Sequence, residues 1–126
     1  MPGPASPASE VDEVADDAIL WRRIYPDWIV EDEHGQKRPS SHAFLDRRSE
    51  ELSVHQAHLT DADTVLAPYP SQSLVAFPAS AVKALGYEVV PDPTEDDPSH
   101  AIITPQIKKR AHRRNLVAAC EWVVLR

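Results

Sequence analysis

Apolar residues along this chain fall into short runs that turn-forming residues separate. Runs of this length and composition predict β-strands. They cover residues 28–30, 52–54, 73–77, 87–90 and 100–104. The run at 73–77, SLVAF, is apolar enough to predict a strand in the interior of a sheet. Residues 46–51, DRRSEE, are predicted to form a solvated turn.

Between these runs the pattern predicts two short helices. The first covers residues 60–66, with Thr60 as its N-cap residue. The second covers residues 79–85 and ends at Gly86, a suitable C′ residue because glycine accepts positive φ. Gly35 is the other glycine that is expected to need positive φ.

A longer helix is predicted at the C-terminus. Thr104 would be its N-cap residue and Pro105 its first residue. From that start, the apolar residues that share one face are Ile107, Ala111, Ala118 and Trp122. Trp122 is therefore predicted to belong to the core.

The segment before Pro26 supports two interpretations. The interpretation that we favour is a helix followed by an extended segment that begins near Trp21. The acidic residues come early in this segment and the arginines late, which is the order that the dipole of a helix favours. The alternative is a strand over residues 19–25, which are rich in Ile, Leu, Trp and Tyr. Residues 1–12, dominated by Pro, Ala, Ser and acidic side chains, are predicted to be a disordered leader.

The order of these elements indicates an α+β fold with a small mixed, mainly antiparallel sheet, short helices and a longer C-terminal helix. Only two helical turns link the strands at 73–77 and 87–90, whereas a parallel crossover usually needs a dozen or more residues. A doubly wound parallel sheet is therefore not expected. Residues 13–126 are predicted to form a single domain.

The C-terminal region carries the opposite charge to the rest of the chain. Residues 1–107 contain 7 Lys and Arg against 19 Asp and Glu, whereas residues 108–126 contain 6 against 1. Most of the C-terminal cations are close together, at Lys108, Lys109, Arg110, Arg113 and Arg114. This asymmetry predicts an electrostatic contact, either with an acidic partner or with the chain's own acidic segments.

These five cations are the first candidate binding site. They could contact phosphates, but no aromatic residue lies among them, and the overall charge of −7 opposes binding to a polyanion. A protein partner is the preferred prediction, and nucleic acid bound by the basic helix is the alternative. A solvated helix face, or one docked on residues 92–97 or 10–17, stays open.

A small enzyme is the third hypothesis. Its candidate residues are Arg22, Arg23, Ser40, Ser41 and His42. No G-x-S-x-G motif surrounds either serine, and a turn or strand-edge role explains both. Ion pairs with Asp27 or Glu31 explain the arginines. No residue is predicted to be catalytic.

No metal or cofactor site is predicted. With three glycines in the chain, a glycine-rich phosphate loop cannot be built. The most crowded group of ligand types is His55, His58, Asp61 and Asp63. A change from strand to helix between the histidines would separate their rings, so a solvated turn is expected there. Cys120, the single cysteine, is predicted to be a buried, inert thiol.

Several segments together resemble a group of small bacterial proteins that has no established activity. They are RPSSHAF at 38–44, LSVHQA at 52–57, SLVAF…ALG at 73–86, PDPTEDDPSHAII at 91–103 and the terminal WV. The resemblance covers residues 20–124 and implies a stand-alone bacterial domain, but it transfers no functional residue.

The predicted function is that of a small, non-enzymatic accessory protein that binds another protein, such as one encoded beside it. The sequence contains neither a run of about 18 apolar residues nor the pattern of a signal peptide. A cytoplasmic location without membrane contact is therefore expected. The sequence does not determine the oligomeric state.

Overall fold

The computed structural model describes residues 14–45 and 51–126. The predicted leader at 1–12 and nearly all of the predicted turn at 46–51 lie outside the described residues, so both stay predictions.

The described strands are β1 (Ile19–Ile24), β2 (Ile29–Glu31), β3 (Lys37–Pro39), β4 (Leu52–Gln56), β5 (Ser73–Pro78), β6 (Glu88–Pro91), β7 (His100–Thr104) and β8 (Glu121–Val124). The described helices are α1 (Ala62–Leu66), α2 (Ala79–Lys83) and α3 (Arg110–Ala119). Short 3₁₀ turns cover Pro26–Trp28, Ser41–Phe44 and Ala57–Leu59.

Six strands form one sheet in the order β6-β7-β4-β1-β5-β8, and β2 pairs with β3 in a separate hairpin. Each neighbouring pair in the large sheet is antiparallel. The predicted α+β class is therefore confirmed. The strand predicted at 73–77 is also confirmed as an interior one, because β5 lies between β1 and β8.

One face of the sheet carries the main core. Leu20 of β1 lies on this face and has no exposed surface. Its neighbour on β5, Phe77, packs edge to face on Phe44, with ring centroids 5.4 Å apart. Val82 from α2 and Leu116 from α3 belong to the same cluster, so both helices cover this face.

The opposite face of the sheet is only partly covered. Leu74 packs there with Trp21 against Val65 of α1. Arg23 is the register partner of Leu74, and His55 is the register partner of Trp21, so both polar side chains lie on this second face. The sheet therefore presents an arginine and a histidine beside a small apolar cluster.

The N-terminal segment is a strand, and the favoured helix is wrong for the residues that the structure describes. Residues 14–18 contain a turn, and β1 begins at Ile19. β1 pairs with both β4 and β5. These two hydrogen-bonded ladders outweigh the favourable dipole that the charge order would have given a helix.

The cap of α1 is Asp61 rather than the predicted Thr60. The Asp61 carboxylate accepts a hydrogen bond from the backbone N–H of Thr64 over 2.8 Å, and this bond lowers the pKa of Asp61. Thr and Asp are both good N-cap residues, so the pattern left the boundary uncertain by one residue.

The positive φ angles predicted for two glycines are confirmed, since Gly35 has φ 74° and Gly86 has φ 95°.

The C-terminal helix is present, but its predicted bounds are wrong. Thr104 pairs with β6 as the last residue of β7, so it cannot cap a helix, and α3 begins only at Arg110. The chain then returns as β8 beside β5. Trp122 therefore lies on an edge strand at the margin of the core, where it is half-buried and its Nε1 donates to the carbonyl of Lys37 over 2.9 Å.

Arg38 of β3 stabilises the end of α3. Its Nη2 donates to the carbonyl oxygens of Val117 and Cys120, over 2.6 and 3.2 Å. A cation at this position satisfies terminal carbonyls and complements the helix dipole. Cys120 is buried, as predicted, and this burial raises the pKa of its thiol to about 12.

Candidate functional site

A pocket of about 400 Å³ lies beside the second face of the sheet, and we call it the Arg23 pocket. Arg23 and His55 reach it from the neighbouring strands β1 and β4. Tyr69 lines it from the segment after α1, and Asp97 lines it from the loop between β6 and β7. The antiparallel pairing of β1 with β4 is what brings the arginine and the histidine together.

A chain of hydrogen bonds runs along one side of the Arg23 pocket. Arg23 Nη1 donates to His55 Nε2 over 3.4 Å. His55 Nδ1 lies 3.0 Å from Asp97 Oδ2 and 3.2 Å from Ser99 Oγ. The hydroxyl and the backbone N–H of Ser99 donate to Asp97 Oδ1, over 2.5 and 3.0 Å. Because a guanidinium only donates, Nε2 must accept and the imidazole proton lies on Nδ1.

The surroundings favour a neutral imidazole beside an ionised carboxylate. Burial lowers the pKa of His55, and the charges of Arg23 and His100 act in the same direction against the attraction of Asp97. Burial opposes ionisation of Asp97, but the hydrogen bonds from Ser99 and the charge of His55 outweigh it and lower the pKa of this carboxyl. The lowered pKa of His55 thus favours the neutral ring near neutral pH, and its Nδ1–H donates to the Asp97 carboxylate.

The lowered pKa of His55 predicts a pH-dependent stability. Below the ordinary pKa of 6.5, His55 is protonated in the unfolded chain but not in the folded protein. The contribution of His55 to the free energy of unfolding is therefore complete above pH 6.5, and it is lost as the pH falls through the lower pKa of the folded state. We expect the urea midpoint to decline between neutral and mildly acidic pH. His55→Gln should flatten that decline, while His58→Gln, at an exposed residue, should keep it. An unchanged decline in His55→Gln would contradict the assignment.

The hydrogen-bond network of Arg23, His55 and Asp97 is suited to binding a ligand rather than to proton transfer. A carboxylate that holds the Nδ1–H of a histidine is the geometry of a general base, provided that Nε2 faces a reacting group. In this protein Nε2 accepts from Arg23 instead. The network therefore ties the loop of Asp97 to the sheet and leaves the Arg23 guanidinium at the pocket.

A second candidate site lies at the N-terminus of α3. Its exposed cations, which we call the cationic patch, are Lys108, Lys109, Arg110 and Arg114. None of them forms a salt bridge with an acidic residue of the described ranges. Asp92 and Asp97 pair with His100 and His55, and no described acidic residue of 92–97 pairs with a patch cation, so the patch is not docked on this loop through a salt bridge.

Arg113, which the sequence analysis grouped with these cations as a binding candidate, does not share this surface. Only 9% of its surface is exposed. Its Nη1 donates to the carbonyl oxygens of Ile107 and Lys108, over 2.8 and 2.7 Å. Its Nε is buried without a hydrogen-bond partner in the described part of the chain. Arg113 thus braces the irregular segment that leads into α3.

Arg22 and Arg23 point to opposite faces of β1, because successive side chains of a strand alternate. Arg22 donates to the carbonyl oxygens of Ala43 and Ser53, over 2.6 and 2.8 Å. Arg23 stacks on the ring of Tyr69 at 4.2 Å and contacts His55. The predicted ion pair with Asp27 or Glu31 is therefore wrong for Arg23.

The serine candidates lie in a turn. Ser40 Oγ accepts a hydrogen bond from the backbone N–H of His42 over 3.2 Å and caps the 3₁₀ turn at Ser41–Phe44. The His42 side chain is exposed. This geometry matches the turn role expected of the serine, and neither side chain reaches the Arg23 pocket.

The two histidines of the crowded group lie on different elements of the structure. His55 is on β4 and only 6% exposed, so the solvated turn expected for it is wrong, whereas His58 is exposed on a 3₁₀ turn. Among the described residues no group of three or more His, Cys, Asp or Glu side chains could hold a metal ion.

Sequence reasoning missed the roles of His55, Asp97 and Tyr69 in the pocket. One signal was available for His55, because alternation in the strand LSVHQ places it opposite Leu52 and Val54, away from the main core. No comparable signal exists for Asp97 or Tyr69, which lie in loops whose position depends on the whole sheet.

No family model, curated protein or solved structure matches this chain. The resemblance to a group of small bacterial proteins stays a prediction. Within residues 14–45 and 51–126, none of the helices has the length and apolar character needed to cross a membrane.

Proposed function

We propose that this chain is a binding protein whose cationic patch docks on an acidic surface of another protein. The observation that carries the proposal is that four cations crowd the N-terminus of α3, exposed and without acidic partners among the described residues. The proposed role is non-enzymatic, and it fits the sequence-based expectation of an accessory protein.

The local energetics of α3 support this role. Cations near a helix N-terminus oppose the helix dipole, each at a cost of about 0.3–1 kcal/mol. Arg110 and Arg114 are like charges at positions i and i+4, which destabilise a helix further. Lys109 occupies the N-cap position without a side-chain cap, and the first turn contains no acidic residue. Cations at a helix N-terminus and a missing cap both lower the stability of the helix, and local features that lower stability are typical of functional surfaces.

An acidic partner would reverse these penalties. Carboxylates placed at the N-terminus of α3 would accept from its unpaired backbone N–H groups and neutralise the adjacent cations. A protein partner is favoured over nucleic acid because the remainder of the chain is strongly acidic and would repel a long polyanion. The described patch also lacks an aromatic side chain on which a base could stack.

The test is affinity capture from a lysate of the source organism, with and without nuclease. The patch variant combines Lys108→Gln, Lys109→Gln, Arg110→Gln and Arg114→Gln. A charge-matched control lowers the net charge equally at exposed sites elsewhere, through Gln36→Glu, Lys37→Glu and Ser71→Glu. We expect one protein to be enriched by the native chain and the control but not by the patch variant.

Purified partner should then bind the native chain with an association rate that falls as salt rises, and the patch variant should associate more slowly. Folding of the patch variant should be nearly intact, because exposed charges contribute about 0–1 kcal/mol each. Enrichment that nuclease abolishes would favour nucleic acid instead. Equal capture by the patch variant and the native chain would contradict the proposal.

A further inference from the structure

The Arg23 pocket is separate from the cationic patch, since no patch residue lines it. Part of its wall is apolar, formed by Leu59, Val65, Pro68 and Pro98. Around this wall converge a guanidinium, a histidine and several carboxylates. A concave, partly apolar space with a few converging polar groups is the usual form of a small-molecule site.

Arg23 is the single lysine or arginine among the residues that line the pocket. Its guanidinium is held in place by the Tyr69 ring at 4.2 Å and by the bond to His55. That bond uses one of five N–H donors, and the described residues provide no carboxylate to pair with the charge. A guanidinium that is fixed in position and has further N–H donors is suited to binding the carboxylate of a ligand.

The rest of the pocket is anionic. Asp61, Asp96 and Asp97 all line it. Asp61 is engaged with the N-terminus of α1, and Asp97 with His55 and Ser99, so neither is paired with Arg23. Three carboxylates outnumber the one guanidinium, and a simple anion would be repelled. A ligand that carries both a carboxylate and a cation matches this distribution of charge.

We propose that the Arg23 pocket binds a small zwitterion, namely a free α-amino acid with an apolar side chain. The ligand carboxylate accepts hydrogen bonds from Arg23. The ligand ammonium group lies towards the carboxylates of Asp96 and Asp61, and its side chain packs on the apolar wall around Val65 and Pro98.

The ligands for the test are alanine, valine, leucine and phenylalanine, titrated into the full-length protein by calorimetry up to about 10 mM, which covers weak binding. At least one is expected to bind with one-to-one stoichiometry. The best ligand is then compared with its amide, which lacks the carboxylate, and with its deaminated acid, which lacks the ammonium group. Each should bind about tenfold or more weakly, because each loses a charge-assisted contact.

Matched variants assign the contacts. Arg23→Gln should weaken binding about tenfold or more. Arg23→Lys should weaken it less than Arg23→Gln does, because lysine keeps the positive charge but cannot donate two parallel hydrogen bonds to a carboxylate. Asp96→Asn should weaken binding several-fold. Arg114→Gln, in the cationic patch, should bind normally, and circular dichroism shows whether each variant folds.

Three results would overturn the proposal. They are no binding of any of the four amino acids, equal binding by a folded Arg23→Gln protein, or equal binding of the amide or the deaminated acid. Partner capture by the patch is measured separately, so failure of one proposal leaves the other intact.

Discussion

Replacing Arg113 by Ala is expected to lower the free energy of unfolding by about 2–4 kcal/mol. The change removes the donors that hold the carbonyl oxygens of Ile107 and Lys108, and it leaves a space beside Leu116 in the buried face of α3. Each hydrogen bond from a charged group contributes about 1.5–3 kcal/mol, and desolvation of the unpaired Nε offsets part of the gain.

The adjacent residue provides the control. Arg114 is exposed, so Arg114→Ala should change the free energy of unfolding by no more than about 0.5 kcal/mol. Urea denaturation followed by circular dichroism measures both variants. Arg113→Met, which keeps volume but not donors, should fall between the two. Equal effects of the two alanine variants would show that Arg113 does not brace the segment before α3.

The second large effect is expected in the main core. Phe77→Ala should cost about 3–5 kcal/mol, a loss large enough to unfold a domain of marginal stability. Phe77 is 1% exposed, and it packs edge to face on the fully buried Phe44. The loss has two parts, the apolar surface no longer buried and the cavity left between β5 and the 3₁₀ turn at Ser41–Phe44.

Because the alanine variant is expected to unfold, leucine substitutions measure the contact itself. A double-mutant cycle of Phe44→Leu and Phe77→Leu should return a coupling energy of about 0.5–1.5 kcal/mol, the usual contribution of an aromatic pair beyond its buried area. Phe44→Leu paired with Val89→Ala, on the edge strand β6, serves as the comparison and should be nearly additive. A cycle that closes without coupling for the two phenylalanines would contradict the packing.

The sequence predicted the environment of Phe77 but not that of Arg113. Phe77 lies in the most apolar run of the chain, and that run alone predicted an interior strand. Arg113 was grouped with its neighbours because charge patterning along a sequence does not report which cation faces inward. Arg113 and Leu116 are three residues apart and so lie on one side of α3, and packing against the core decides that this side is the buried one.

The pH dependence of His55 and the zwitterion site have the same origin. Arg23 and His55 are far apart in sequence, and they meet because β1 and β4 pair in one register. A shift of one of these strands by one residue would turn its side chains to the other face of the sheet and separate Arg23 from His55. The pocket is therefore a property of the strand pairing, which no local pattern encodes.

By itself, the sequence determined most of the strands, the interior position of the strand at 73–77, the glycines with positive φ and the buried thiol of Cys120. Each of these depends on local apolar pattern, on the conformational freedom of glycine, or on one apolar neighbourhood. Only the tertiary structure decided that residues 19–24 are a strand and that Trp122 belongs to β8. Pairing with β5 supplies hydrogen bonds to both segments, and these contacts between distant residues outweigh their local preferences.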